Sequence, residues 1–180
     1  MTSAYNATPV NLATSVSGVL PVANGGVGAG AVLQTLSTTK TDTFSTTGTS
    51  FADVTGLSQT ITPSSTANKV LVTVNMCVGG STADQVIAQL LRGSTAIAIG
   101  DTAGSRTRAS APWLASNDTV SGSLSISFLD SPATTSATTY KIQMRCGGVG
   151  TVYVNRSATD ADADGFVRGA STITVQEIKG

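Results

Sequence analysis

Histidine is absent from all 180 residues. A Ser/His or Cys/His nucleophilic pair therefore has nothing to build on, and a histidine-ligated metal centre is equally excluded. Glutamate occurs once, at Glu177, and the aspartates are scattered, so nothing in the spacing signals the two converging carboxylates of acid/base hydrolysis. The expectation is a protein that is not an enzyme. Cys77 and Cys146 are too few for a disulfide framework and lack the CxxC spacing of a zinc site, so both are read as reduced and structural. Charged side chains make up only 11 % of the chain, with ten basic residues against ten acidic ones. No Lys/Arg block exists, which removes the electrostatic footprint of a nucleic-acid binder. Long apolar runs are missing too: nothing approaches the roughly 20 residues of a membrane helix, and residues 1–20 carry no basic leader segment. Neither membrane insertion nor secretory processing is expected.

The scarcity of charge is uneven. No charged side chain precedes Lys40, and the stretch before it offers Leu12, Val16, Leu20 and Val22 at intervals. A free tail stays soluble through charge and low hydrophobicity, so such a segment is suited to lying against other protein. Gly25 and Gly26 would permit close approach and sharp turns, while Pro21 fixes an extended path. Residues 1–38 are accordingly read as an extended attachment and trimerisation arm, and residues 39–180 as one head domain. The glycines of Asn24–Gly30 do not make a phosphate loop, because no Lys-Ser/Thr follows them and no strong strand precedes them.

Thr, Ser, Ala and Val dominate the remainder, residue types that suit pleated, half-buried surfaces and short turns. Alternation is clearest in residues 69–78, where Val70, Val72, Val74, Met76 and Val78 share one face. Leu124, Ile126 and Phe128 form a second such set, and Tyr140, Ile142, Met144 and Cys146 a third. Residues 84–92 and 96–99 flank Gly93-Ser94 as a hairpin. Turn clusters at 63–66, 130–136 and 147–150 separate eight to ten short strands. The predicted fold is all-β, an antiparallel β-sandwich of jelly-roll type.

Three features of the head carry candidate chemistry. Arg106 and Arg108 alternate on an expected strand and could grip an acidic ligand, although two spaced arginines more often form a solvated face. Trp113 follows Pro112 in a polar passage and offers either a stacking platform or a packing anchor, packing being the commoner use. Asp160, Asp162 and Asp164, followed by Gly165, match the opening of a calcium loop. The match fails at the twelfth position, which is Ser171 rather than a bidentate Glu, and position nine is Arg168. A solvated acidic loop offset by Arg156 and Arg168 is the favoured reading, with calcium the weaker one and no other cofactor expected.

The stretch from Asn11 to Gly28, with its Leu20-Pro-Val-Ala-Asn-Gly-Gly26 core, resembles a segment common in tail fibres and related virion proteins of tailed bacteriophages. Phe51-Ala-Asp-Val-Thr-Gly-Leu57, Leu91-Arg-Gly-Ser-Thr-Ala-Ile97 and Thr151-Val-Tyr-Val-Asn-Arg156 are similar to a recurring C-terminal module of phage structural proteins. The resemblance implies a homotrimer with a jelly-roll head like the trimeric globular heads of complement and tumour-necrosis-factor proteins. It implies a virion location after assembly in the host cytoplasm, attachment to other virion proteins through the arm, and no catalytic residues. Two functions follow from it: a short fibre or fibre tip whose loops, around 100–117 and 157–169, contact a host cell-surface glycan or protein, or a decoration protein that covers the capsid or tail without binding a receptor.

Overall fold

In a computed structural model of the chain, residues 31–180 are described. Eleven strands occupy them: β1 Val32–Lys40, β2 Phe44–Thr46, β3 Ala52–Ile61, β4 Lys69–Gly80, β5 Gln85–Arg92, β6 Thr95–Ile97, β7 Ala111–Leu114, β8 Ser121–Asp130, β9 Thr138–Cys146, β10 Val152–Val154 and β11 Ser171–Ile178. There is no helix among the described residues, and so none long and apolar enough to cross a membrane. Every pairing is antiparallel. One sheet has six strands, β1-β11-β4-β8 with β10 also on β4 and β2 on β10, and the other has five, β3-β9-β5 with both β6 and β7 on β5. From β3 onward the chain passes back and forth between the two sheets, which is the winding of a jelly roll.

The sandwich begins at Val32 rather than at residue 39, because β1 pairs with β11 from Val32↔Ile178 to Lys40↔Ser171. The Thr/Ser-rich composition of residues 35–39 suits a pleated edge strand as well as it suits an arm.

Period-2 patterning fixes the core. Val70, Val72, Val74, Met76 and Val78 are buried, as are Leu124, Ile126, Tyr140, Ile142, Met144 and Cys146, and Ile173 and Val175 join them from β11. Cys77, on the opposite parity of β4, is only half buried, and both cysteines are free. Burial pushes the Cys146 thiol pKa up. Trp113 closes the edge between the sheets: it packs on the core, and its indole lies so close over Gly122 of β8 that a Cβ there would collide with it.

Two strands are interrupted rather than ended. β6 and β7 pair with successive parts of the same edge of β5, with residues 98–110 looping out between them. β10 and β11 pair in line along β4, with residues 155–170 looping out. Each excursion opens on a residue in the left-handed region, Ala98 (φ 52°) and Asn155 (φ 65°). Asn tolerates that conformation, and its side chain here knits the base of the loop. Its Nδ2 donates to the carbonyls of Lys40 and Asp42, both at 2.9 Å, and its Oδ1 accepts from Ser171 Oγ at 2.6 Å. These bonds span the gap between β1 and β2, and they satisfy a fully buried amide.

The two outer faces differ in chemistry. On the β1-β11-β4-β8 sheet, three rows cross all four strands: Thr35-Gln176-Leu71-Leu129, Ser37-Thr174-Thr73-Ser127 and Thr39-Thr172-Asn75-Ser125. None of these twelve side chains is charged. The opposite face carries the ion pair Lys141–Asp53 at 2.8 Å, with Gln143 donating to Asp53 and Gln89 to Gln143.

Candidate functional site

On that charged face, alternation aims Arg145 of β9, Ile87 of β5 and Pro112 of β7 outward in one cross-strand row. An outward Ile on a solvated face would be exposed, yet Ile87 is only 7 % accessible. Residues 98–110 fold over it. The excursion is held by its own backbone, with Gly100 N donating to Ala109 O at 3.2 Å and Arg106 N to Ala103 O at 3.3 Å. Ser110 fastens its return: its amide donates to Ala88 O, and its hydroxyl accepts from Leu90 N at 2.9 Å and donates to Ile97 O at 3.3 Å. One side chain thus mends the ladder that the loop interrupts.

Between loop and sheet lies an open cavity of about 560 Å³. Its floor is the Arg145-Ile87-Pro112 row, and its wall includes Asp101, Arg106 and Arg108. Arg108 Nε donates to Gly100 O at 2.6 Å and Arg106 Nη1 to Ala103 O at 3.3 Å, so both side chains are tethered while most of their donors stay free. Arg145 Nη1 donates to Thr49 O at 2.7 Å. Its Nε is shielded from solvent and has no hydrogen-bond partner, the one buried side-chain nitrogen or oxygen among the described residues in that state.

Charge pairing singles out the same place. Arg92 is paired with Asp130, and Arg156 and Arg168 with Asp160. The remaining three arginines, Arg106, Arg108 and Arg145, make no ion pair among the described residues, and all three line this cavity. With Asp101 as the one acidic lining residue, the lining carries a surplus of two positive charges on a chain whose net charge is zero. Such a pocket can hold an oxyanion by several N–H donors at once.

The expected site residues scatter differently from the expectation. Arg106 and Arg108 lie on a loop, not on a strand, because residues 98–110 leave the ladder of β5. Trp113 belongs to a strand within the passage expected to be loop, and it turns toward the core rather than into the cavity. Arg145, Asp101 and Gln85 were not among the candidates, since Arg145 and Ile87 are distant in sequence and meet only through the pairing of β5 with β9.

Asp160 bonds Arg156 Nη1 at 3.0 Å and Arg168 Nη2 at 2.7 Å, while the Arg156 guanidinium stacks over Tyr153 at 4.1 Å. Among the described residues no three acidic or thiol groups come together in a way that could hold a metal ion. Asp160 and Asp162 line a depression together with Arg168, and Asp164 is not part of its lining. The arm residues Leu12, Val16, Leu20, Pro21, Val22, Gly25 and Gly26 lie outside the described residues.

No family model matches the chain, and no curated protein matches it. Among solved structures, the chain is similar to infectious bursal disease virus of the Gt strain, at a TM-score of 0.43 and 14 % identity, over 82 % of this chain and 38 % of that one. For the Gx strain the values are 0.41, 12 %, 81 % and 36 %. For the VP2 subviral particle of the same virus they are 0.39, 11 %, 81 % and 37 %. The chain therefore spans well under half the length of these solved chains, and likeness at this level identifies neither family nor function.

Proposed function

We propose that this chain is a virion structural protein of a tailed bacteriophage, a short trimeric tail fibre or fibre tip whose head takes part in host attachment. The sequence resemblance of the arm supports the particle, and the asymmetry of the head supports the role. One outer face is uncharged across four strands, as a surface covered by a second copy would be. The other is charged and open, and it bears the arginine cavity. That cavity is the observation that carries attachment: three arginines without ion-pair partners among the described residues line a preformed hollow, an arrangement that covering a neighbour does not call for.

Particles lacking the chain test this reading. Attachment predicts normal particle stability with adsorption to host cells reduced severalfold or more. The alternative, decoration or cementing of the capsid or tail, is favoured by the uncharged face alone. It predicts the reverse, normal adsorption per intact particle and faster loss of particles on heating.

A further inference from the structure

We infer that the cavity under residues 98–110 is a binding site for an anionic saccharide, with the sugar's carboxylate or sulfate held by Arg145, Arg106 and Arg108. The inference rests on the attachment reading for where the ligand comes from, but not for its charge.

Three guanidinium groups with no carboxylate opposite them among the described residues line one cavity, so their charge is free to meet an anion that enters it. Arg145 is anchored through Nη1 on Thr49 O, which fixes the guanidinium plane before any ligand arrives. Arg106 and Arg108 are likewise tied to carbonyls of their own loop. Three pre-oriented guanidinium groups suit an oxyanion, since planar forks of N–H donors match carboxylate and sulfate oxygens in pairs. Preorganisation of this kind lowers the entropic cost of binding.

Size and lining select the rest of the ligand. A cavity of about 560 Å³ falls in the range of small-molecule sites rather than of flat protein interfaces. Ile87 and Pro112 supply an apolar floor for the carbon face of a pyranose ring, and Asp101 and Gln85 supply acceptors for its hydroxyls. An acidic peptide would find the same cations. It would find no sheet edge to extend there, because the β5 edge is already taken by β6 and β7.

The test is titration of the full chain, by calorimetry at low ionic strength, with three oligosaccharides of equal length: one bearing uronic acids, one sulfated and one neutral. An acidic peptide is the fourth arm. The inference predicts binding of one or both acidic sugars, no binding of the neutral one, and weakening on addition of 0.5 M NaCl through ion screening. Which acidic sugar binds more tightly tells carboxylate from sulfate. Replacing Arg106 and Arg108 together, R106A/R108A, should weaken binding at least about tenfold, as expected when charged hydrogen bonds are lost. Both side chains are exposed on a self-supporting loop, so the variant should fold. The K69A/K179A control removes as much charge outside the cavity and should change nothing. Equal affinity for neutral and acidic sugars, preference for the peptide, an equal loss in the lysine control, or no binding up to millimolar acidic sugar would each overturn the inference. Host-cell binding by the full chain separates the two readings. If the chain binds cells but R106A/R108A binds equally well, this inference fails and attachment stands. If acidic sugars bind the cavity while the chain binds no host cell, attachment fails and this inference stands.

Discussion

Glu177 is the only glutamate, and from β11 it faces the interior at 1 % accessibility with no ion pair among the described residues. Four hydrogen bonds stand in for a counter-charge. Its Oε1 accepts from Ser64 N at 2.6 Å, Ser64 Oγ at 2.7 Å and Asn68 Nδ2 at 2.6 Å, and its Oε2 accepts from Gln34 Nε2 at 2.6 Å. Burial alone would raise the carboxyl pKa, but the donors from Asn68, Gln34 and Ser64 outweigh it and hold the value down from 4.5 to about 2. At roughly 1.4 kcal/mol per unit, that depression has a ceiling on the order of 3 kcal/mol of stability. Ser64 is exposed and Gln34 only half buried, so solvent screens the site and about 1–2 kcal/mol is the working figure. The sign follows from proton binding. Below pH 4.5 the unfolded chain takes up a proton that the folded one refuses, so this contribution is complete above 4.5 and fades as pH falls toward 2. Substitution of Glu177→Gln keeps the shape but gives up the charge, and its NH2 would meet either the Gln34 or the Asn68 donor. Urea unfolding of the full chain from pH 7 to pH 2.5 is the assay, with the variant expected to be less stable by about 1–2 kcal/mol at pH 7 and the gap to narrow below pH 4.5. A gap that stayed constant with pH would refute the role given to the ionised carboxylate.

Other substitutions probe the frame around the cavity. Asn155→Ala abandons the carbonyls of Lys40 and Asp42 and puts Ala in the left-handed region, so it should cost about 2–4 kcal/mol in the same unfolding assay and increase hydrogen exchange over residues 156–169. Gly122→Ala forces a methyl into the indole of Trp113 and should destabilise by about 1–3 kcal/mol; a variant of unchanged stability would contradict the packing described for that edge. Tyr140→Phe removes the hydroxyl that donates to Asp130 Oδ2 at 2.6 Å, leaving Arg92 as the side-chain partner of that carboxylate, and should cost about 1–2 kcal/mol by thermal or chemical unfolding.

The core was legible because one-sided burial and period-2 alternation are the same fact seen twice. Val70 to Val78 and Tyr140 to Cys146 could occupy one face only if they were strands. β1 was hidden, since its Thr/Ser residues alternate without apolar contrast and its pairing with β11 is specified from the far end of the chain. The interrupted strands were also hidden: whether β6 and β7 continue one edge depends on both finding β5, and no local pattern states that. The cavity fell between these cases. Arg106 and Arg108 were recognised by type, but Arg145 joins them only through the fold, from a strand whose own pattern says no more than that it faces outward. Glu177 entered the sequence reading only as a carboxylate without a second one to pair with, whereas its partners Gln34, Ser64 and Asn68 come from parts of the chain that the sandwich alone brings together.

The most direct measurement is binding of the purified full chain to host cells across a range of concentrations, beside the R106A/R108A variant. Saturable binding by the unaltered chain, lost or weakened at least about tenfold in the variant, is the predicted result. Absence of saturable binding to every host cell tested would contradict the proposed role in attachment.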